Sequence, residues 1–379
     1  MKTISETQTT KSRFVYLDIF RGITIFAMLI VNNPGSWGHI YAPFKHAKWH
    51  GFGGADWIFP FFLFILGFAI PISLSSSIDS GKSTLSLIGK ILKRSVLLFL
   101  LGIFLNGFPD FNWNTIRIPG VLQRIALVYF FSALIYLFCN RKLILFLSLF
   151  FILFHWFLLT QIPIPEIGNP SLEMGKNLSS WIDSYFLPNH LWAFTKTWDP
   201  EGILGTLPAI SSSLIGIFYG LFFLEKKYFS TSDTYFGFFL GLLLISLSFL
   251  WDIVFPINKN LWTGSFVLLN SGLAMICLHL LYNRIELNQS SFLLKPFEIF
   301  GVNPIASFFL SSLFSRIINI PMILQANGKL IGIKTFLYTN YFSSFFSSYN
   351  ASLLWSLIYT MFWLILFGIL YKRKIFIKI

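Results

Sequence analysis

The side chains best suited to acid–base chemistry lie together in residues 31–60, VNNPGSWGHIYAPFKHAKWHGFGGADWIFP. Its histidines titrate near neutral pH, so a neutral imidazole here could accept a proton. His46 and His50 are four residues apart, a spacing that binds zinc when it lies on a helix. Pro43 and several glycines instead indicate a loop. We therefore expect no metal, and a solvated loop histidine remains the simplest alternative to a catalytic one.

The composition indicates which kind of structure must position these side chains. Hydrophobic residues make up 55% of the 379 and charged residues 11%, with a mean hydropathy of +0.70. A soluble domain carries about 25% charged residues, so this chain has too little polar surface for water. In lipid, long apolar segments must be helical, because a helix satisfies its own backbone hydrogen bonds. The sequence predicts an all-α membrane protein.

Apolar runs of about 20 residues, each able to cross a bilayer, predict a polytopic bundle of about ten transmembrane helices in a single domain, 1–379. The predicted spans are 14–34, 57–77, 87–106, 119–139, 143–161, 203–224, 235–254, 262–283, 293–315 and 352–371. Three of the connections are longer than a turn requires. Rich in Trp, Tyr, Asn and His, they are predicted to form an outer loop cap: 35–56, 162–202 and 317–351.

The distribution of Lys and Arg predicts the topology. With the N-terminus inside, the inner segments hold 17 of these cations and the outer segments 9, as the positive-inside rule requires. We expect a multi-pass protein of the cytoplasmic (inner) membrane with both termini in the cytoplasm and residues 1–13 as a polar tail. The net charge of +13 then reflects contact with anionic membrane lipid, and no nucleic acid is expected as a partner.

Ionisable groups inside spans are expensive in lipid and therefore mark functional candidates. Asp18 and Arg21 share one face near the inner end of the first span, where a simple ion pair is the alternative explanation. Arg124 lies in the fourth span, close to its outer end. Asp56, which precedes the second span on the outer side, could pair with Arg124 or hold a histidine tautomer.

Five stretches, in order along residues 14–310, resemble the transmembrane acetyltransferase family related to heparan-α-glucosaminide N-acetyltransferase. They are LDIFRGITIFAMLIVNN with KHAKWHGFGGADWIFPFFLFILG, RIPGVLQRIALVYF, WDPEGILGT, PINKNLWTGSFVLL and, more loosely, GVNPIASFF. The resemblance implies an acetyl-CoA-dependent N-acetyltransferase. Such an enzyme moves an acetyl group from cytoplasmic acetyl-CoA to an amino sugar or related glycan amine on the outer side.

The resemblance also implies roles for particular residues. The catalytic histidine of the family falls on His46 and its asparagine on Asn32, although the longer tract between them leaves Asn33 open. Asp56 completes the predicted catalytic set. The family has Asn where His50 stands, so that position is expected to contact the acceptor. A covalent acetyl-histidine and a direct transfer both remain open.

Binding candidates follow from the implied reaction. Acetyl-CoA carries phosphates, which cations at an inner helix start could receive, although ordinary lipid anchoring is the simpler explanation for any single one of them. The predicted donor-binding residues are Lys90, Lys93, Arg94, Arg21, Gln123 and Arg124. The predicted acceptor-binding residues are His50, Trp49, Asp199, Glu201 and Trp262. Whether the protein forms a homodimer is open.

A secondary transporter of a small solute or glycan precursor is the alternative function. Ten helices, intramembrane charges and a Pro- and Gly-interrupted second span also fit that class. A non-catalytic scaffold would leave the His46 region dispensable. Dependence on acetyl-CoA separates the enzyme from both, whereas uptake without acylation identifies a transporter.

The topology can be tested by single cysteines at Ser171 and Ser83 in a background lacking Cys139 and Cys277. Because 162–202 is predicted to be outside and the loop at 83 inside, an impermeant thiol reagent should label position 171 on intact cells. Position 83 should label only after permeabilisation. Labelling at 83 but not at 171 on intact cells would mean that the topology is inverted.

Overall fold

The structure, a computed structural model, describes residues 14–226, 229–287, 292–325 and 328–377. The predicted tail 1–13 lies outside these residues. The described part is almost wholly helical, in agreement with the predicted fold class. Its helices are α1 (Val15–Asn32), α2 (Ile58–Asp79), α3 (Thr84–Gly107), α4 (Val121–Phe138), α5 (Arg141–Gln161), α6 (Leu178–Phe186), α7 (Thr206–Lys226), α8 (Thr231–Asp252), α9 (Gly264–Tyr282), α10 (Lys295–Gly301), α11 (Pro304–Ile317), α12 (Ile333–Leu337) and α13 (Ser348–Lys372).

Within the described residues, eight helices are long and apolar enough to cross a membrane: α1, α2, α4, α5, α7, α8, α9 and α13. The chain is thus an integral membrane protein. Helix α3 is also long, with 24 residues, but it carries Lys90, Lys93 and Arg94 in its first half. These three cations distinguish α3 from the eight apolar spans.

The predicted span 293–315 is not one straight helix. It consists of α10 and α11, which meet at an angle of 85°. Pro304 opens α11, and a proline both lacks the amide needed to continue a helix and disfavours helical geometry in the residue before it. Asn303 accordingly leaves the helical region, with φ −129° and ψ 50°. The bend places residues 301–305 beside a cavity described below.

Helices α1, α7 and α9 are mostly buried, whereas only about a third or less of α5, α8 and α13 is buried, as expected for helices that face lipid. Small residues allow the closest helix contacts. A β-carbon on Gly22 of α1 would lie 1.6 Å from the carbonyl oxygen of Phe297, and one on Gly301 would lie 1.6 Å from that of Asp18. Glycine at both positions therefore lets α10 lie directly against α1.

The three predicted cap segments lie at the same end of the bundle, which we call the cap end. The opposite end, where α1 begins and α13 finishes, is the terminal end. Two short hairpins stiffen the cap, β1 (Leu172–Glu173) with β2 (Lys176–Asn177) and β3 (Pro321–Leu324) with β4 (Leu330–Gly332).

The first cap segment, 35–56, contacts both of the others. The Trp49 indole donates to the Leu172 carbonyl at 2.8 Å. The Tyr41 hydroxyl donates at 2.6 Å to the side chain of Asn350, near the end of the third segment. These hydrogen bonds fix the histidine-bearing loop over the end of the bundle.

Candidate active site

The loop between α1 and α2 folds back on itself around Asp56. The buried carboxylate accepts hydrogen bonds from His46 Nδ1 at 2.6 Å, from the Ala47 amide at 3.0 Å and from the Gly53 amide at 2.7 Å. Glycine is needed for this fold, because a β-carbon on Gly53 would lie 2.5 Å from the Lys45 carbonyl oxygen. The loop thus presents the imidazole to Asp56 without a helix.

The Asp56 contact fixes the chemistry of His46. A carboxylate only accepts, so Nδ1 carries the proton and Nε2 keeps a free lone pair. Burial favours the neutral Asp56 carboxyl, but the hydrogen bond from His46, the nearby Lys259 ammonium and the Ala47 amide together outweigh burial. They hold the pKa of Asp56 below its ordinary value. An ionised Asp56 can therefore orient His46 as a base.

A lysine from the α8–α9 connection completes this cluster. Lys259 Nζ lies 3.4 Å from Asp56 Oδ1, 3.0 Å from His46 Nδ1 and 3.4 Å from His46 Nε2. Burial lowers the pKa of Lys259, whereas Asp56 and Glu201 oppose that shift. Lys259 was not among the predicted site residues. It lies within PINKNLWTGSFVLL, one of the stretches that carry the family resemblance, which could have indicated a role. Its contact with His46 could not be predicted, because the two residues are 213 positions apart in the sequence.

His46 opens onto a cavity of about 100 Å³ between α1, α2, α4 and α11. Asn32 at the end of α1 lines this cavity together with His46, Glu201 and Lys259. Asn33 instead turns into the protein, where its amide donates to the Leu29 carbonyl at 2.9 Å. Of the two asparagines left open by the sequence, Asn32 is the one placed with His46.

The segment that carries Asp199 and Glu201 is held in place by two arginines. Arg117 donates to Asp199 at 2.8 and 2.6 Å and to Glu201 at 2.6 Å. These hydrogen bonds outweigh the effect of burial and raise the pKa of Arg117. Arg124 donates to the carbonyl oxygens of Pro200 and Gly202, both at 2.9 Å. Arg124 therefore supports the segment rather than pairing with Asp56.

Asp183, on α6, ties the same segment to the cap. Its carboxylate accepts from the amides of Ile203 at 2.8 Å and Asp199 at 3.3 Å. Burial raises the pKa of Asp183 to about 7 despite these donors. Neither Asp183 nor Arg117 was a predicted site residue, and Arg117 could have been found from its place in RIPGVLQR.

A second cavity, of about 510 Å³, lies toward the terminal end. Arg21 and Arg94 line it, and Arg94 also stacks over the Tyr129 ring at 4.7 Å. The Nε of Arg94 is buried without a hydrogen-bond partner. The two cavities share walls, formed by Phe62, Pro304 and Ile305. Together they extend from the terminal-end arginines to His46.

Of the predicted binding residues, Arg21 and Arg94 line the larger cavity and Glu201 lines the smaller one, whereas the other eight line neither. Lys90 and Lys93 are exposed on α3. Gln123 is buried near the cap end of α4. Trp262 is buried beneath Arg124, whose guanidinium lies 5.1 Å from the ring. Their predicted roles in donor and acceptor binding stay predictions.

His50 and Trp49 lie beside His46 in the same loop. His50 Nδ1 is 3.3 Å from the Asn258 amide nitrogen, and the Trp49 ring packs against Trp198 at 5.0 Å. Among the described residues, no group of three or more His, Cys, Asp or Glu side chains is placed to hold a metal ion.

The fold and the site define an integral membrane protein with a histidine–carboxylate pair over an apolar cavity. A family model described as "Heparan-alpha-glucosaminide N-acetyltransferase, catalytic" matches residues 13–251. The chain belongs to this family, which confirms the resemblance found in the sequence. Lys259 lies beyond the matched range.

Two curated relatives support the assignment. The heparan-alpha-glucosaminide N-acetyltransferase of Mus musculus is 30% identical over 352 residues, which cover 79% of this chain and 53% of that protein. The Homo sapiens protein of the same name is 30% identical over 344 residues, covering 76% and 51%. The chain spans about half the length of the curated relatives it matches.

The charge network around Asp199 predicts a large loss of stability for Arg117→Met. That substitution leaves a buried carboxylate unpaired, which typically costs about 3–5 kcal/mol, and the loss should shrink at low pH as the carboxylates take up protons. Arg141→Met is the matched control, because Arg141 and Glu225 form an exposed pair worth about 0–1 kcal/mol. Thermal unfolding in detergent measures both. Equal melting temperatures for the two variants would contradict the structural role of Arg117.

Proposed function

We propose that the protein is a membrane-bound N-acetyltransferase. In this proposal, acetyl-CoA enters from the cytoplasm at the terminal end, and the acetyl group is transferred to an amino sugar or related glycan amine at the cap end. The observation that carries the proposal is that the cavity lined by Arg21 and Arg94 adjoins the cavity lined by His46, with the apolar side chains of Phe62, Pro304 and Ile305 in the walls of both.

The cavities suit the two ends of acetyl-CoA. Two guanidinium groups, which bind phosphate oxygens well, line the wide terminal-end cavity: Arg94, and Arg21, which also pairs with Asp18 at 3.0 Å. The shared walls of Phe62, Pro304 and Ile305 are apolar, as is much of the pantetheine arm. Along α1, the eleven residues from Arg21 to Asn32 rise about 16 Å, a distance that an extended arm can span.

The residues around His46 suit acyl transfer to an amine. The nucleophile must lose a proton as it attacks the thioester, and His46 Nε2 has a free lone pair to accept it. Asp56 stabilises the resulting imidazolium and maintains the ring orientation. The Asn32 amide lines the cavity and can donate to the developing oxyanion. We favour direct transfer from the thioester to the amine, with His46 Nε2 as the base.

The cap end offers recognition for an amine on a sugar. Glu201 lines the His46 cavity, and its carboxylate can attract the acceptor as an ammonium before deprotonation. Trp49, in the same loop as His46 and His50, packs against Trp198, and the two rings supply aromatic faces at the cap end. The names of the curated relatives refer to a glucosaminide acceptor, which supports an amino-sugar substrate here.

The proposal predicts that His46→Ala lowers kcat for acetyl transfer by about 10²–10⁴-fold, the usual contribution of a general base. Because His46 lies at the far end of the path from the arginines, acetyl-CoA binding should persist. His39→Ala is the control, since His39 lies in the same loop but packs on Tyr349. Both variants should purify as folded protein; His39→Ala should keep the wild-type melting temperature, whereas His46→Ala should melt at a lower temperature because Asp56 loses one of its hydrogen-bond donors. Wild-type turnover by His46→Ala would contradict the assignment.

A further inference from the structure

The proposed reaction places negative charge on the thioester oxygen. A cation, Lys259, lies close to the atom of His46 that would take the proton from the attacking amine. Lys259 Nζ lies 3.4 Å from His46 Nε2, the atom that takes the acceptor proton. Lys259 and His46 line the same cavity, together with Asn32. The attacking amine must hydrogen-bond to His46 Nε2, and the thioester carbonyl must be in contact with that amine. The carbonyl therefore lies close to the Lys259 ammonium.

The hydrogen-bonding capacity of Lys259 is available for such a group. His46 Nδ1 donates to Asp56, so Nδ1 cannot also accept from Lys259. Asp56 Oδ1 lies 3.4 Å from Nζ, longer than a strong charge-assisted hydrogen bond. An ammonium carries three donors; even if Asp56 Oδ1 and His46 Nε2, both 3.4 Å away, each take one, the third can point into the cavity.

We propose that Lys259 is a catalytic residue that donates a hydrogen bond to the oxyanion of the tetrahedral intermediate. This inference rests on the acetyltransferase function proposed above. It adds a charged donor from the α8–α9 connection to the neutral amide of Asn32. A preorganised cation in a site shielded from water stabilises an oxyanion strongly.

The step balances without further reactants. The acceptor nitrogen forms a bond to the acetyl carbon, the carbonyl π electrons move to oxygen, and the amine proton passes to His46 Nε2. Collapse of the intermediate restores the carbonyl and breaks the carbon–sulfur bond. The thiolate leaves with the electron pair and takes the proton from Nε2. Lys259 stays protonated throughout and donates only a hydrogen bond.

The charged groups that face Lys259 determine how it responds to pH. Asp56 and Glu201 oppose loss of its proton, His46 is the third titratable neighbour, and the walls from α4 and α11 are apolar. If the reaction requires protonated Lys259, activity persists below the pKa of Lys259 and is lost as the pH rises through that pKa. Because burial lowers the pKa of Lys259, the alkaline decline of kcat/KM should begin below the pH expected for an exposed lysine.

Three variants test the proposal. Lys259→Met should lower kcat by about 10²–10³-fold, with the KM for acetyl-CoA nearly unchanged. Lys259→Arg should retain more activity than Lys259→Met and should move the alkaline decline to higher pH, because a guanidinium stays charged. Lys48→Met is the control, since Lys48 is exposed in the same loop as His46 and should behave as wild type.

A second readout does not depend on turnover. Trace labelling of the wild-type protein with acetic anhydride across a pH series, read by peptide mass spectrometry, reports deprotonation of Lys259 and of Lys48 separately. Lys259 should begin to label at lower pH than Lys48, in step with the alkaline loss of activity. If Lys259 labels in step with Lys48, or if Lys259→Arg keeps the wild-type alkaline decline, the proposal is wrong.

The proposed function and this inference fail in different ways. Acetyl transfer by the wild type together with wild-type kcat in Lys259→Met would overturn the role of Lys259 alone. A wild-type protein that transfers no acetyl group from acetyl-CoA to glucosamine would overturn both. Loss of kcat in Lys259→Met, in a variant that purifies as folded protein and binds CoA as the wild type does, supports both.

Discussion

A buried carboxylate organises the functional end of this protein. Asp56 is fully shielded from solvent, and an ionised group in that position must be compensated by donors and cations. The compensation comes from His46, from two loop amides and from Lys259. The same contacts that stabilise the charge orient the imidazole and attach the α8–α9 connection to the loop. Stability and chemistry therefore depend on one set of hydrogen bonds.

The path toward this carboxylate depends on how α10 packs. Gly22 and Gly301 let α10 approach α1 directly, and the 85° bend before α11 turns Pro304 and Ile305 toward both cavities. The broken helix thus forms the shared wall between the terminal-end arginines and His46.

The sequence predicts the fold class well, because apolar runs and the distribution of cations are local signals. It predicts that His46, Asn32 and Asp56 belong to one site through a family resemblance. It could not choose between His46 and Arg124 as the partner of Asp56, since that depends on how Gly53 lets the loop turn back. Lys259 was missed because its contact joins distant parts of the chain. The proline itself signals the bend at Pro304. The predicted span 293–315 nevertheless runs through it, because the residues on both sides are apolar.

The central claim is that donor and acceptor meet through the bundle from opposite sides. Sealed right-side-out vesicles loaded with radiolabelled acetyl-CoA and bathed in glucosamine test it directly, with His46→Ala vesicles as the control. The account predicts labelled N-acetylglucosamine in the bath while the CoA moiety stays inside, and no product from the control. Product that forms only when acetyl-CoA and glucosamine share one compartment would contradict it.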